Sequence, residues 1–336
     1  MDSTRSLEIG WIEHPTSIEL EGAAGLVSAF LAEVIPGERP YPAAELAAEL
    51  AHHRSDVEVR LALAVEDGVP VGMARLTHGP DSDRRYASLD ELVVAPDHRR
   101  RGVGRRLLDL AAAASRLDGR TVLAGAGPVG HPGSGGLAER VGARAGLIEH
   151  QNRTVVAGID RSLLEAWVVR AAERADGYSL VAFDGRCPDD LVDGFAKLTG
   201  VMNTAPHTDA WEMPTVTAQM VHEGEEAFRQ KGGVGWTVCV RHDGSGQLVA
   251  YTELGFLPYR PWLAEQGDTA VDPLHRDKGL GRWIKATNAL RLLDERPEVE
   301  VIETWNASVN APMLSINDAM GFRPVVSWQD WELALD

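Results

Sequence analysis

One twelve-residue pattern occurs twice in this chain, and it constrains the fold more than any other feature. The first copy, V-A-P-D-H-R-R-R-G-V-G-R, runs from Val94 to Arg105, and the second, V-D-P-L-H-R-D-K-G-L-G-R, runs from Val271 to Arg282. The two copies lie 177 residues apart, which is about the length of an ordinary domain. The chain of 336 residues is therefore predicted to hold two similar domains in tandem.

Each copy follows a short apolar run that favours a strand and precedes an apolar pattern with helical spacing. Proline stops the strand, and the glycines allow a tight turn that presents bare N–H groups at a helix start. Such a helix start carries unpaired donors and about half a positive charge, so a phosphate or pyrophosphate is the expected ligand. Both loops are therefore predicted to be anion sites.

Charge supports an anion site most clearly at the first copy. Residues 1–98 carry a net charge of −11, and residues 99–106 then contain five arginines and no acid. The second copy is less basic, since Asp277 offsets part of its charge. Two other phosphate loops are excluded by spacing, because the chain lacks the Lys-Ser/Thr end of a P-loop and the third glycine of a dinucleotide fingerprint.

The spacing Arg-x-x-Gly-x-Gly after a Val-x-Pro strand end resembles the acyl-CoA-binding motif of the GNAT (Gcn5-related N-acetyltransferase) superfamily. In that family the loop amides hold the pyrophosphate of coenzyme A, and the splayed strand before the loop binds its pantetheine arm. The resemblance implies pyrophosphate contacts at Arg99, Arg100, Arg101, Gly102, Val103, Gly104 and Arg105, and at Arg276, Lys278, Gly279, Leu280, Gly281 and Arg282. It implies pantetheine edges at Leu92, Val93 and Val94, and at Thr269, Ala270 and Val271.

The segment from Ile302 to Pro324 carries a second resemblance to the family. A strand, an asparagine and a helix ending in Gly-Phe resemble the last coenzyme-contacting part of a GNAT domain. Asn306 and Asn310 are accordingly expected to contact the coenzyme or to cap the helix. The resemblance extends over the whole chain, to tandem GNAT proteins of actinobacterial type. It implies an α/β (α+β) fold with two GNAT domains, each a mixed, mostly antiparallel sheet flanked by helices.

We predict an N-terminal domain over residues 1–160, a connecting helix over residues 161–177 and a C-terminal domain over residues 178–336. Residues 125–136 are unusually rich in glycine and depart from the family pattern. They are predicted to be a slack connection, with a mobile lid as the alternative.

Acetyl transfer to an amine needs a base, polarisation of the thioester carbonyl and stabilisation of the departing thiolate. Asp268, Glu303 and Glu253 are the candidate bases, although each also suits a solvated carboxylate at a strand edge. In the family a tyrosine four residues before the helix-ending glycine protonates the thiolate. Asn317 and Ala138 stand at that place here.

The missing tyrosines leave three alternatives open. Another group serves, such as Ser308, Ser315 or a water molecule; or the thiolate leaves unassisted; or neither domain catalyses. We expect an N-acyltransferase that transfers an acetyl group from acetyl-CoA to a small amine, with the C-terminal domain catalytic. The alternative is a catalytically silent acyl-CoA-binding or scaffold protein.

Composition sets the remaining expectations. The net charge of −17 argues against nucleic acid and anionic membranes as partners. No segment approaches 18 uninterrupted apolar residues, and the first residues lack the apolar core of a signal peptide, so a cytoplasmic location is expected. Cys187 and Cys239 form no metal or redox spacing, and no metal cofactor is expected. The acceptor amine and the oligomeric state stay open.

Overall fold

The computed structural model describes residues 6–79, 85–204 and 215–336. These residues form two compact units. Unit 1 comprises Met1–Ile148 and Val326–Asp336, and unit 2 comprises Glu149–Val325. The sequence of residues 202–214 predicts an irregular loop, and most of that segment falls outside the described residues.

Unit 1 is a mixed sheet flanked by helices. Its strands, in order across the sheet, are β1 (Leu7–Ile12), β2 (Glu58–Glu66), β3 (Val69–His78), β4 (Tyr86–Val94), β5 (Val122–Pro128) and most of β12 (Arg323–Ala334). Its helices are α1 (Ser17–Val34), α2 (Ala43–Ala51), α3 (Val103–Leu117) and α4 (Ser134–Val141). Every neighbouring pair of these strands is antiparallel except β4 with β5, which is parallel.

Unit 2 repeats this arrangement. Its strands, in order across the sheet, are most of β6 (Arg144–Val155), β11 (Val301–Ala307), β10 (Leu263–Val271), β9 (Leu248–Phe256), β8 (Val234–His242) and β7 (Tyr178–Asp184). Its helices are α5 (Arg161–Arg174), α6 (Val192–Thr199), α7 (Ala218–Gln230), α8 (Leu280–Glu295) and α9 (Ala311–Ala319). The parallel pair is β10 with β11. In both units, therefore, the strand before the repeated loop pairs in parallel with the strand that follows the next helix.

Small residues in the sheet seat the helix that follows the first repeated loop. Val103 and Leu107 of α3 are buried in one cluster with Ala74 of β3. A Cβ atom at Gly72 would lie 3.1 Å from the side chains of both Val103 and Leu107. The glycine therefore lets the first turns of α3 approach the sheet closely, which fixes the position of the loop before it.

The corresponding helix of unit 2 is covered on more than one side. Leu280 and Ile284 of α8 are buried in one cluster with Ala250 of β9, and Ala286 of α8 is buried with Trp167 of α5 in another. The helix predicted as a connection over residues 161–177 is thus α5, which packs within unit 2. Burial on more than one side accounts for the nine buried residues among the sixteen of α8, which include Lys285 and Asn288.

The predicted glycine-rich connection is wrong in its extent. β5 continues to Pro128, where it pairs with Trp328 of β12, and α4 begins at Ser134, so only five residues connect the two elements. A side chain at Gly127 would collide with Ser134, and a Cβ atom at Gly125 would lie 3.1 Å from the carbonyl oxygen of Leu89. These glycines serve close packing and form neither a slack segment nor a lid.

The compact units are divided at different residues from the predicted domains. The division falls between Ile148 and Glu149, within β6, and the chain returns to unit 1 at Val326, within β12. Both strands are twelve residues long. Seven residues of β12, from Trp328 to Ala334, pair with β5, and this long-range pairing carries the end of the chain into unit 1.

Candidate active site

The first repeated loop turns through two residues with left-handed backbone. A short 3₁₀ helix, Pro96–His98, follows β4, and the φ angles of Arg100 and Gly102 are +61° and +85°. α3 begins at Val103, and no side chain caps its start. The loop therefore leaves the first N–H groups of α3 available to an anion, as the sequence predicts.

The second loop has the same geometry. The 3₁₀ helix Pro273–His275 follows β10, and the φ angles of Asp277 and Gly279 are +65° and +81°. α8 begins at Leu280, again with no side-chain cap at its first turn. Because glycine adopts left-handed backbone without strain, Gly102 and Gly279 stand at the same point of each turn for the same reason.

The first arginine of each loop binds the end of the strand before it. Arg99 Nε donates to the carbonyl oxygen of Val94 at 3.0 Å, and Arg276 Nε donates to that of Val271 at 3.1 Å. The same bond in both units explains an arginine at this place without a phosphate ligand. These two arginines shape the loops, whatever else they bind.

Carboxylates neutralise much of the first loop. Arg99 forms two hydrogen bonds to Glu33 of α1, at 2.9 and 2.7 Å, and these bonds hold the pKa of Glu33 down at about 2. Arg101 pairs with Glu66 at 3.0 Å, and Arg105 pairs with Asp109 at 2.8 Å. Three of the four arginines expected to hold pyrophosphate here already have a carboxylate partner.

The loop of unit 2 keeps its cations available. Lys278 lies over the Tyr178 ring at 5.7 Å, and Arg282 lies over the Trp167 ring at 5.4 Å. Neither cation is in an ion pair with any carboxylate of the described residues. The sequence ranks the first loop as the more basic anion site, but carboxylates offset the charge of Arg99, Arg101 and Arg105 there.

Parallel pairing stops early beside both loops. In unit 1 the β4–β5 pairing ends at Leu89 with Gly125, although β4 continues to Val94. In unit 2 the β10–β11 pairing ends at Glu265 with Glu303, although β10 continues to Val271. The remaining edges, residues 90–94 and 266–271, include the predicted pantetheine edges, and they open a gap beside each loop.

A bulge lies at the start of each gap and brings two charged side chains together. Between β3 and β4, the register shifts next to the pair formed by Arg75 and Glu91. Between β9 and β10, it shifts between Gln266 and Thr269. Counting from the repeated loops, Asp268 of β10 stands where Glu91 stands in β4, and Glu253 of β9 stands where Arg75 stands in β3. The two units thus differ in charge at one register position.

In unit 1 this position forms a cluster of carboxylates around one guanidinium. Arg75 makes two hydrogen bonds to Glu91, one of them from Nη2 at 2.7 Å, and Nη1 donates to Glu49 at 2.7 Å. Burial alone lowers the pKa of Arg75, but the carboxylates of Glu91 and Glu49 outweigh it and raise the pKa. The Tyr41 hydroxyl donates to Glu49 at 2.8 Å. The carboxylate of Glu91 is therefore held in an ion pair.

In unit 2 the same position joins two carboxylates. Burial raises the pKa of Glu253 to about 8, and the charges of Asp268 and Glu225 add to the effect. Burial also raises the pKa of Asp268, opposed by a hydrogen bond of 3.3 Å from the buried Tyr251 hydroxyl. The side chain of Asp268 is nevertheless exposed to solvent. A carboxylate that titrates near neutral pH in such a place is suited to general-base chemistry.

Glu303, the second predicted base, is paired instead. Its Oε2 accepts a hydrogen bond from Gln151 at 2.8 Å and one from Arg153 at 2.6 Å, both on β6. A carboxylate satisfied by a guanidinium and an amide is a poor proton acceptor. Of the three predicted bases, Glu253 and Asp268 lie together, and Glu303 lies in a separate ion pair.

The remaining predicted site residues lie on β11 and α9 and in the turn between them. Asn310 caps α9, accepting a hydrogen bond from the Met313 N–H at 3.4 Å. Asn306, at the end of β11, accepts a hydrogen bond of 2.6 Å from Asn317, the residue at the place of the family tyrosine. Ser308 is exposed in the turn between β11 and α9.

The sequence analysis did not identify two cations of these sites, of which one is partly buried and the other fully buried. One is Arg75, which counting back through the paired strands from the repeated loop would have found. The other is Lys285 of α8, which donates to Asn317 at 2.8 Å. A lysine between Ile284 and Ala286, inside an apolar run, was the available signal.

Two features are absent from the residues that the structure describes. None of their helices is both long enough and apolar enough to cross a membrane. Within the same residues, no three or more histidine, cysteine, aspartate or glutamate side chains are grouped so as to hold a metal ion.

Comparisons with known proteins agree with this geometry. A family model described as the acetyltransferase (GNAT) family matches residues 28–142. The mycothiol acetyltransferase of Clavibacter sepedonicus is 28% identical over 281 residues, covering 79% of this chain and 81% of that protein.

Solved structures extend the similarity to the whole chain. A tandem GNAT protein from the clavulanic acid biosynthesis pathway matches with a TM-score of 0.76 and 26% identity, covering 98% of this chain and 99% of that one. A GCN5-related N-acetyltransferase from Sphaerobacter thermophilus shares the fold, with a TM-score of 0.70, 14% identity and coverage of 98% and 96%. Residues 28–142 thus match the GNAT acetyltransferase family model, and the whole chain is similar in layout to tandem-domain GNAT proteins and to mycothiol acetyltransferase.

Proposed function

We propose that the protein is an acetyl-CoA-dependent N-acetyltransferase acting on a small amine, and that unit 2 is the catalytic unit. The observation that carries this assignment is the charge at the bulge. The same register position holds Arg75 in unit 1, paired with Glu91, and Glu253 in unit 2, beside Asp268. A proton acceptor is thus available beside one gap and neutralised beside the other.

The base has a defined task in this reaction. An amine is largely protonated near neutral pH and must lose a proton before its nitrogen can attack a thioester. Glu253, with a pKa of about 8, takes that proton directly or through one water molecule. Asp268 keeps a second negative charge nearby and opposes ionisation of Glu253, which makes the ionised carboxylate a stronger base.

The transfer is a direct one. The neutral amine nitrogen attacks the thioester carbonyl carbon, a C–N bond forms and the C–S bond breaks with its electron pair left on sulfur. The proton lost from nitrogen resides on Glu253 or in solvent. The backbone N–H groups of the β10 edge, over Thr269, Ala270 and Val271, are the proposed donors to the carbonyl oxygen and the pantetheine arm.

The pyrophosphate is assigned to the second loop. The free N–H groups at the start of α8 and the cations of Lys278 and Arg282 support this choice, because no carboxylate of the described residues neutralises those two side chains. The loop of unit 1 keeps the same backbone geometry with much of its charge cancelled. We assign unit 1 a structural or coenzyme-holding role without catalysis.

A charge placed at one glycine of each loop tests the assignment. Gly279→Asp sets a negative charge where the pyrophosphate would lie, and Gly279→Asn is its neutral control, since both side chains tolerate left-handed backbone better than most. Gly102→Asp and Gly102→Asn form the matched pair in unit 1. Thiol release from acetyl-CoA is followed over a panel of small amines. The panel includes mycothiol-related amines because one relative is a mycothiol acetyltransferase.

The expected result is a rise of at least tenfold in KM for acetyl-CoA in Gly279→Asp relative to Gly279→Asn, with a small difference between the Gly102 variants. Equal behaviour of the two Gly279 variants would refute the site. The absence of a tyrosine, with Asn317 and Ala138 in its place, favours a second candidate, a silent acyl-CoA-binding protein. Binding of acetyl-CoA by calorimetry with no turnover of any amine would support that candidate.

A further inference from the structure

Lys285 is a buried cation to which the proposed mechanism gives no role. It lies in α8 with 1% of its surface exposed, and burial lowers its pKa to about 7. Its Nζ donates to Asn317 Oδ1 at 2.8 Å and lies 5.4 Å from the centre of the Phe322 ring. No carboxylate of the described residues pairs with it. A lysine in such surroundings is costly, and a simple packing role does not explain it.

The chemistry of lysine sets the direction of a chain of hydrogen bonds. A protonated lysine has donors and no acceptor, so the atom of Asn317 that faces it must be Oδ1. The amide nitrogen of Asn317 then faces Asn306, and it donates to Asn306 Oδ1 at 2.6 Å. Because the Oδ1 atom of Asn306 accepts this hydrogen bond, the NH₂ group of Asn306 is left to donate to another partner.

Asn306 stands beside the gap in unit 2. It lies on β11, three residues beyond Glu303, where the parallel pairing with β10 ends. Thr304, two residues before it, donates to the carbonyl oxygen of Gln266 at 3.1 Å and marks the closed end of the gap. An NH₂ group carried by Asn306 is therefore well placed to act on a group held between β10 and β11.

Unit 1 shows that the fold does not need this polar chain. Counting from the repeated loops, Leu108 of α3 stands at the place of Lys285. Counting back four residues from the helix-ending glycines Gly142 and Gly321, Ala138 of α4 stands at the place of Asn317. Leu108 is buried in an apolar cluster that Leu137 of α4 packs against. The lysine and the asparagine occur in the same unit as the unpaired Glu253, which links them to chemistry more than to packing.

We propose that Lys285 is a positioning residue for acetyl transfer in unit 2. It fixes the Asn317 carboxamide, and through it Asn306, so that the Asn306 NH₂ group donates a hydrogen bond to the coenzyme sulfur as the C–S bond breaks. The electron pair of that bond stays on sulfur, Asn306 transfers no proton, and the thiolate is later protonated by water. The inference rests on the proposed catalytic role of unit 2 and explains how the unit works without the family tyrosine.

The test copies the arrangement of unit 1 into unit 2. The double variant Lys285→Leu/Asn317→Ala replaces the polar chain with residues that the other unit already packs at these places. We expect kcat with acetyl-CoA to fall about 10²- to 10³-fold, the loss typical of one hydrogen bond to developing charge, with KM for acetyl-CoA within about twofold of its original value. The single variant Asn306→Ala should give a similar loss.

A second readout separates positioning from a structural role. Acetyl thioesters of pantetheine analogues with more acidic thiols need less help in leaving, so the loss in the double variant should shrink as the leaving thiol becomes more acidic. Unchanged kcat in the double variant, or a loss independent of thiol acidity, would overturn the inference. If the wild-type protein acetylates an amine, and kcat falls in Glu253→Gln but not in the double variant, this inference fails and the proposed function stands. An inactive wild type would overturn both proposals.

Discussion

Replacing Glu253 with glutamine removes the proposed base with little change of shape. The pKa of this carboxyl is raised from an ordinary 4.5 to about 8, mainly by burial. Between these two pH values the folded protein holds its proton more tightly than the unfolded chain does, so stability falls as pH rises through the window and is level above it. A difference of this size corresponds to at most about 5 kcal/mol.

Glutamine cannot ionise and escapes this cost. Because Glu253 is partly open to solvent, screening reduces the limit, and we expect Glu253→Gln to be about 2 to 4 kcal/mol more stable than the wild type at pH 9. At pH 4 the two proteins should differ little, since the carboxyl is then protonated in both states. The same variant should lose about 10²- to 10⁴-fold in kcat, and the limb of the pH–rate profile near pH 8 should disappear.

The assay combines urea unfolding at pH 4, 7 and 9 with steady-state thiol release. Glu303→Gln is the matched control, because it weakens a buried ion pair with Arg153 and should lower stability while kcat is largely retained. The two substitutions thus have opposite expected effects on both measurements. If Glu253→Gln keeps its kcat, or gains no stability at pH 9 relative to pH 4, the assignment of Glu253 as the buried base is wrong.

Two further outcomes follow from the buried cations. Arg75→Met leaves the carboxylates of Glu91 and Glu49 without their guanidinium and should destabilise unit 1 by about 3 to 5 kcal/mol. The kcat per folded molecule should stay unchanged. Thermal melting and activity measured on the same samples test both expectations. Lys285→Met should stabilise the protein most below pH 7 and lose that advantage as pH rises from 7 to 10.5. The reason is that the lowered pKa of the lysine makes the folded wild-type protein bind fewer protons than the unfolded chain over that range. Thermal melting of both proteins at pH 6 and pH 10 tests this, and an equal change in melting temperature at the two pH values would contradict it.

The backbone of both loops could be predicted from the sequence because its causes are local. Glycine at residues 102 and 279 permits the left-handed turn, proline at residues 96 and 273 ends the strand, and the apolar spacing after each loop forms the helix. None of these signals requires a partner from elsewhere in the chain. The repeat therefore predicted correctly the two glycine turns and the helices that begin after them.

The charge of the loops could not be predicted in the same way. Glu33 lies 66 residues before its partner Arg99, and Glu66 lies 35 residues before Arg101. Both pairings depend on which helix and strand ends meet beside the loop, and no local pattern encodes this. The same is true of the bulge, where the register between neighbouring strands decides that Glu91 meets Arg75 and that Asp268 meets Glu253.

The long strands β6 and β12 were also missed in part, for a related reason. Their pairing partners, β11 and β5, lie more than 145 residues away in sequence, and pairings at such separation leave no periodic signal beyond an ordinary strand. The division of the chain into units follows those pairings.

A crystal structure with coenzyme A bound tests the central claim most directly. We expect the pyrophosphate on the N–H groups at the start of α8, the pantetheine along Thr269 to Val271, and the sulfur between β10 and β11 beside Asn306. Coenzyme A lying only on the loop of unit 1, or with its sulfur on the far side of β10 from Asn306, would contradict it.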